Sequence, residues 1–155
     1  MRLAVAVVVA MLIVTPARAA DWGGIVPGES TMQSVRARYG EPQQRATQKV
    51  EGYDSVQWTY EGAGAPTGMN RMVVDFGYLA SAGYQPQVVR VFRLEPNPYI
   101  FTRTLVLDGW GWPTGVSEPG KPSSFFYASG LVVYFDEQEN VISMVFTPPQ
   151  PMPKE

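Results

Sequence analysis

The sequence predicts an α+β fold built from two tandem repeats, each a short helix followed by an antiparallel three-stranded meander, with the helices packed on one face of the sheet. Three observations predict this fold. A short, well-delimited helix is indicated at residues 28–42, a weaker copy of the same pattern lies 71 residues later, and three strand-like runs follow each helix. The predicted units are residues 21–96 and residues 97–147.

The first helix is delimited by residues that commonly begin and end helices. Ser30 can accept a hydrogen bond at the amino end, and Gln33 three residues later completes a capping box. Gly40 can adopt the left-handed conformation that ends a helix, and Pro42 prevents its continuation. The apolar positions between them, three and four residues apart, predict one buried stripe: Met32, Val35 and Tyr39.

A second copy of this pattern predicts the helix of the second repeat. The aromatic–Gly–x–Pro ending recurs, with a valine and a threonine at the same distances upstream. Thr31, Val35, Tyr39, Gly40 and Pro42 align in this way with Thr102, Val106, Trp110, Gly111 and Pro113. Because the second segment is poorly capped and contains Gly109, it predicts a less stable helix than the first.

Six runs of apolar or alternating residues predict the strands. They cover residues 55–60, 71–76 and 87–94 in the first repeat and residues 125–127, 131–135 and 141–146 in the second. Ser129-Gly130 and the polar segment 136–140 are typical of hairpin turns. Strands joined by such short turns pair antiparallel. Since a unit of this size rarely buries its own sheet face, we expect the two repeats to share one core.

The first twenty residues have the layout of a secretory signal peptide. Arg2 precedes a continuous apolar run at residues 3–14, and a small-residue segment follows, so cleavage is expected near Ala19/Ala20. A membrane anchor is the alternative, but a run of about twelve residues is short for a bilayer. We therefore predict a periplasmic or secreted protein. Residues 148–155 predict a Pro-rich, flexible tail.

The composition excludes many classes of function. The 155 residues include no His and no Cys, which removes the commonest general base, thiol nucleophiles, disulfides and a lipid-bearing cysteine. The net charge of −2 becomes −4 once Arg2 and Arg18 are removed with the signal segment, and no basic stripe is left for a nucleic-acid backbone. We expect neither nucleic-acid binding nor a lipid anchor.

Two segments could carry other chemistry. Asp136, Glu137 and Glu139 could ligate a hard cation such as calcium, although three carboxylates are equally typical of a solvated hairpin tip. The Gly-rich segment 62–68 lacks the lysine of a phosphate-binding loop and is better interpreted as a hairpin connection. We therefore predict no catalytic residue, no cofactor and no metal site.

The face of the sheet turned away from the helices is the candidate binding surface. Strand alternation turns Gln57, Asp75 and Tyr134 outward. If the valines on either side of Arg90 point inward, Arg90 and Phe92 point outward as well. This mixture of Arg, Asp, Phe and Tyr is typical of protein-recognition surfaces, and ordinary cross-strand packing is the alternative interpretation.

Short motifs resemble those of a known family. The pattern from Gly28 to Pro42, the Trp58-x-Tyr60 strand and the closing Val-Tyr-Phe-Asp run that ends at Asp136 resemble the SmpA/OmlA, or BamE-like, outer-membrane assembly factors. The doubled unit is also similar to the fold of the β-lactamase inhibitory protein. This resemblance implies a helix–meander fold and a non-catalytic, protein-binding role, without the lipid anchor of the family.

These features together predict a non-catalytic protein-binding domain, an envelope assembly or interaction factor of BamE-like type. We expect its partner to be another envelope or secreted protein, with only indirect membrane contact. Two alternatives stay open: a small-ligand or peptidoglycan-binding accessory protein, and an inhibitor of a secreted enzyme.

Overall fold

The computed structural model describes residues 18–149. Most of the expected signal segment, residues 1–17, and most of the expected Pro-rich tail, residues 150–155, lie outside the described residues. No helix of the described part is both long and apolar enough to cross a membrane.

Strands dominate the described part of the chain. The helices are α1 (Met32–Tyr39) and α2 (Arg103–Trp110), and a single 3₁₀ turn covers Gly62–Gly64. The strands are β1 (Gln44–Val50), β2 (Tyr53–Glu61), β3 (Met69–Ala80), β4 (Gly83–Pro96), β5 (Gly115–Val116), β6 (Ser124–Phe126), β7 (Leu131–Phe135) and β8 (Val141–Phe146). They form one antiparallel sheet in the order β1-β2-β3-β4-β8-β7-β6-β5.

The predicted fold of two helix-plus-meander repeats is wrong. A single eight-stranded sheet with two helices of eight residues each makes this a β-rich fold. The two halves are joined because β4 pairs with β8 through Phe92↔Phe146 and the two pairs that follow. A pairing between strands so far apart in sequence leaves no local signal, which explains why the sequence did not predict it.

The sequence match at 71 residues comes from two similar helix ends. Each helix begins on a threonine, Thr31 or Thr102, whose hydroxyl accepts an N–H of the first turn. Each ends on a left-handed glycine, Gly40 with φ 77° and Gly111 with φ 76°. The N-cap of α1 is therefore Thr31 rather than the predicted Ser30. The two segments therefore share the same local capping geometry.

The core lies on the face of the sheet that the helices cover. Val35 of α1 and Val106 of α2 are buried in it, together with side chains from β2, β3, β4, β6, β7 and β8. Aromatic contacts tie neighbouring strands: Trp58 meets Phe76 edge-on with ring centroids 4.7 Å apart. Across the sheet, the core strand residues are Trp58, Tyr60, Met69, Met72, Val74, Phe76, Val89, Phe92, Leu94, Phe125, Leu131, Val133, Phe135, Val141, Met144 and Phe146.

The stability of the fold is expected to fall as pH rises from about 10 to about 12. Tyr60 is fully buried and its hydroxyl donates to the Gly40 carbonyl at 3.0 Å. Burial, assisted by the nearby Glu41 carboxylate, raises the pKa of Tyr60 to about 12. Since folding favours the protonated phenol, its contribution is complete below pH 10 and is lost through the folded-state pKa.

Denaturant unfolding at several pH values checks this expectation. Tyr60→Phe should lose the steepest part of the decline in the free energy of unfolding above pH 10. A decline of the same slope in the variant would assign the effect to other groups.

Candidate functional site

A row of paired residues crosses all eight strands, and its side chains lie on the face opposite the core. Because its members stand opposite one another in successive ladders, they point to the same side of the sheet. Their sequence neighbours on β2, β3, β4, β6, β7 and β8 point into the core. We call this surface the open face, and its central row is Gln44, Thr59, Val73, Arg93, Val145, Val132, Phe126 and Gly115.

Arg93 lies at the centre of the open face. It is exposed, with the half-buried Val73 and Val145 opposite it on the two neighbouring strands. Among residues 18–149 its guanidinium makes no hydrogen bond or ion pair. The nearest carboxylate along its own strand and face, Glu95, lies 3.9 Å from Arg71 instead. A cation between apolar side chains is therefore available to a carboxylate from another molecule.

Three of the five predicted site residues lie on the open face. Gln57 and Asp75 stand opposite each other, and the Gln57 amide donates to the Asp75 carboxylate at 2.9 Å. Gln48 on β1 donates to the same Asp75 oxygen at 3.0 Å. Tyr134 is half-buried on β7, opposite Ser143, and three strands away from Asp75. The structure thus brings Gln57 and Asp75 together but leaves Tyr134 at a separate part of the face.

The expectation that Phe92 faces outward is wrong. Phe92 is fully buried, and its ring stacks on Phe146 with centroids 4.4 Å apart. The cause is a β-bulge in β4: Val91 stands opposite Asp75, but the next pair along joins Val89. One extra residue in the strand shifts the alternation of its side chains. A strict alternation carried from Val89 past Arg90 therefore places Phe92 on the wrong face.

Arg90 is the extra residue of this bulge. It is half-buried, and its Nε atom is buried without a hydrogen-bond partner among the described residues. It makes no ion pair with Asp75 in the described part of the chain. The extra residue of a bulge is left unpaired in the ladder, so Arg90 does not stand in the row of residues that contains Asp75 and Val91.

Sequence reasoning missed Arg93, although a signal was present. Arg93 stands between Phe92 and Leu94. Where two large apolar residues flank a charged one in a strand, alternation favours the apolar side chains in the core and the charged side chain on the opposite face. The same argument applies to Val145, which stands between Met144 and Phe146. Bulky apolar neighbours, rather than the valines near Arg90, define which side of β4 is open.

A groove lies at the β6–β7 end of the open face. Phe126, 41% exposed, and Tyr134 line it on the sheet side, and the Glu118–Lys121 ion pair of 3.0 Å lines it on the loop side. Its volume is about 410 Å³. Aromatic rings beside charged and hydroxyl groups can bind a polar small molecule, so this groove is the second candidate site.

The acidic loop is organised by its own backbone. The Asp136 carboxylate accepts the Asn140 N–H at 2.8 Å and the Gln138 N–H at 2.9 Å. The hydrogen bond from the Asn140 N–H, with those from the Asn140 side chain and the Gln138 N–H, holds the pKa of Asp136 below its usual range. In the part of the chain that the structure describes, no three Asp or Glu side chains converge as metal ligands. The loop geometry is that of a turn stabilised by an aspartate.

Comparisons with known proteins give one distant similarity. No family model matches the chain, and no curated protein is significantly similar to it. Among solved structures, the chain is similar to a DUF4309 family protein, YjgB, from Bacillus subtilis subsp. subtilis str. 168. The identity is 13%, the match covers 81% of this chain and 82% of that chain, and the TM-score is 0.49.

Proposed function

We propose that this chain is a non-catalytic protein-binding factor of the cell envelope or the secreted fraction, and that its open face contacts the partner. One observation carries the proposal: Arg93 has no carboxylate partner among residues 18–149 and stands in a row with Val73, Val145, Val132 and Phe126. Arginine and aromatic residues surrounded by apolar contacts are the usual centres of protein–protein interfaces.

The chemistry of the open face indicates what its partner presents. Covering Val73, Val145 and Val132 with apolar side chains would exclude water from around Arg93. A charge pair is stronger when water is excluded, and an unpaired guanidinium would be costly to bury. The best-matched partner surface therefore has an Asp or Glu at its centre and apolar residues around it.

The compartment and partner class follow from the sequence features. The expected signal segment supports a periplasmic or secreted location, where the partner would be another envelope or secreted protein. The resemblance to BamE-like factors supports a role in envelope assembly or interaction. The net charge of −2 disfavours nucleic acid, and the absence of Cys disfavours a lipid anchor, so membrane contact would be indirect.

Reversing the charge of Arg93 is expected to abolish partner binding. Truncating one member of a buried charge pair costs about 2–5 kcal/mol, which corresponds to roughly 30-fold or more in affinity. Affinity capture from an envelope extract, compared between the wild type and Arg93→Glu, measures this loss for each retained protein. Arg38→Glu makes the same charge change at an exposed position of α1, on the helix side, and should retain the partner.

The same experiment separates the alternatives. Equal retention by the wild type and Arg93→Glu would contradict the proposal. In that case, thermal stabilisation by a peptidoglycan fragment, lost in Tyr134→Ala, would favour a small-ligand accessory protein that uses the groove beside Phe126 and Tyr134. Retention of a secreted enzyme whose activity falls on binding would identify the inhibitor variant of the proposed function.

A further inference from the structure

The two edges of the sheet differ in length. At one edge, β5 has two residues, which is the short edge strand that proteins use to prevent further pairing. At the other edge, β1 has seven residues without proline. Six of these seven residues are exposed and Val50 is half-buried, and among the described strands only β2 pairs with β1. The β1 edge is therefore a long, accessible strand.

The turn after β1 determines which backbone groups face outward. Glu51 (φ 50°) and Gly52 (φ 86°) form a two-residue turn of the left-handed type, and Val50 stands opposite Tyr53. Such a turn makes Val50 and Tyr53 a hydrogen-bonded pair. Alternation along the strand then directs the N–H and C=O groups of three residues away from β2: Arg45, Thr47 and Lys49.

The side chains of these three residues share one face and carry two positive charges. The Arg45 guanidinium lies 5.5 Å from the centre of the Trp58 ring and forms an ion pair with Glu41, and Lys49 pairs with Asp54 at 2.6 Å. All four side chains of these two ion pairs are more than half exposed, so exchanging Glu41 or Asp54 for a carboxylate of another chain costs little. Arg45 and Lys49 stand four residues apart, on either side of Thr47.

This charge pattern disfavours pairing between two copies of β1. Full antiparallel overlap, centred on Thr47, would place Arg45 of each copy opposite Lys49 of the other. Like charges directly opposite across a ladder are destabilising. A strand with carboxylates at those two positions would instead form two favourable pairs. The charges on β1 therefore disfavour pairing with a second copy of β1 and favour pairing with an acidic strand.

We propose that β1 binds an extended segment of a partner protein as a ninth, antiparallel strand, with acidic side chains opposite Arg45 and Lys49. Backbone hydrogen bonds to Arg45, Thr47 and Lys49 supply affinity, and the two charge pairs set register and specificity. This surface is the edge of the sheet, distinct from the open face, so the inference holds whether or not Arg93 binds a partner.

Hydrogen exchange of the backbone amides of the full chain, measured with and without a synthetic peptide, tests this strand addition. The probe is Thr-Thr-Glu-Val-Thr-Val-Glu-Thr-Thr, and its matched control has lysine in place of both glutamates. The acidic peptide should slow exchange of the Arg45, Thr47 and Lys49 amides roughly tenfold or more, because they change from solvent to ladder partners. The Ala46 and Gln48 amides, already bonded to β2, should change little.

Two variants separate backbone pairing from charge. Thr47→Pro removes an outward N–H that β2 does not use and should abolish binding, whereas Thr47→Val keeps the N–H and should bind. Lys49→Glu should reduce the preference for the acidic over the basic peptide, which is expected to be roughly tenfold in the wild type. Should Thr47→Pro unfold, an acidic peptide N-methylated at the positions facing β1 makes the same test.

Several outcomes would overturn the inference. Unchanged exchange at Arg45, Thr47 and Lys49 would show that no strand adds at this edge. Equal binding of the acidic and basic peptides would exclude the charge recognition, and undiminished binding of the N-methylated peptide would exclude backbone pairing. An intact response to the peptide in Arg93→Glu would separate this surface from the open face.

Discussion

Replacing Phe92 with alanine is expected to lower the free energy of unfolding by about 3–5 kcal/mol. The Phe92 side chain is fully buried, and it stacks on Phe146 with an interplanar angle of 3°. The two residues stand opposite each other in the β4–β8 ladder, which joins the two halves of the sheet. Truncation would leave a cavity where two strands distant in sequence meet. The paired strands hold the surrounding side chains in place, so these side chains cannot easily move in to fill the cavity.

Neighbouring residues of β4 provide the matched controls for Phe92→Ala. Val91 is half-buried and Arg93 is exposed, and both lie on the open face. Arg93→Ala should change stability by no more than about 0.5 kcal/mol, and Val91→Ala by less than Phe92→Ala. Urea unfolding of the three variants checks the order. If Phe92 faced solvent, its replacement would cost as little as that of Arg93, and the bulge at Arg90 would be contradicted.

Most individual strands could be predicted from the sequence, because their residues either form short apolar runs or alternate between apolar and polar. The runs at residues 131–135 and 141–146 are β7 and β8, and the run at 55–60 lies inside β2. Strand β1 could not be predicted in the same way, because its residues are nearly all polar and exposed and carry no hydrophobic period. Its position depends on pairing with β2 through the turn at Glu51 and Gly52.

The arrangement of the strands could not be predicted from local patterns. The sequence indicates neighbours joined by hairpins, such as β7 and β8, but the β4–β8 ladder connects Phe92 with Phe146 over a long stretch of chain. That ladder turns two expected meanders into one sheet. The local signals that recur in the two halves, such as the N-caps Thr31 and Thr102, do not report this pairing.

The candidate site was predicted where alternation is regular and missed where it is interrupted. Gln57, Asp75 and Tyr134 lie in strand segments whose apolar neighbours all face the core, and each lies on the open face. The extra residue at Arg90 reverses the alternation in the middle of β4. A one-residue bulge reverses which side chains of a strand lie on each face. The predicted surface therefore contained Phe92, whereas the structure has Arg93 there.

Gly130→Ala is expected to destabilise the fold by about 2–6 kcal/mol, the sum of backbone strain and overpacking. Gly130 has φ 94°, in the region that side chains disfavour, and it is buried immediately before β7. A Cβ atom added there would lie 2.2 Å from the Thr147 carbonyl oxygen and 2.7 Å from that of Pro148. These are backbone atoms, so they cannot move aside by a change of rotamer.

Gly120→Ala separates the two causes of the loss at Gly130. Gly120 has a similar φ of 85°, but a Cβ atom there would meet nothing within 4 Å. Its replacement should therefore cost only the backbone strain, about 1–3 kcal/mol. The Gly130 carbonyl also accepts the Thr147 N–H at 2.9 Å, so a clash at this point would separate β7 from the end of β8. Equal losses for Gly120→Ala and Gly130→Ala in urea unfolding would show that Thr147 and Pro148 can move away, and that close packing at this point does not fix the β7–β8 pairing.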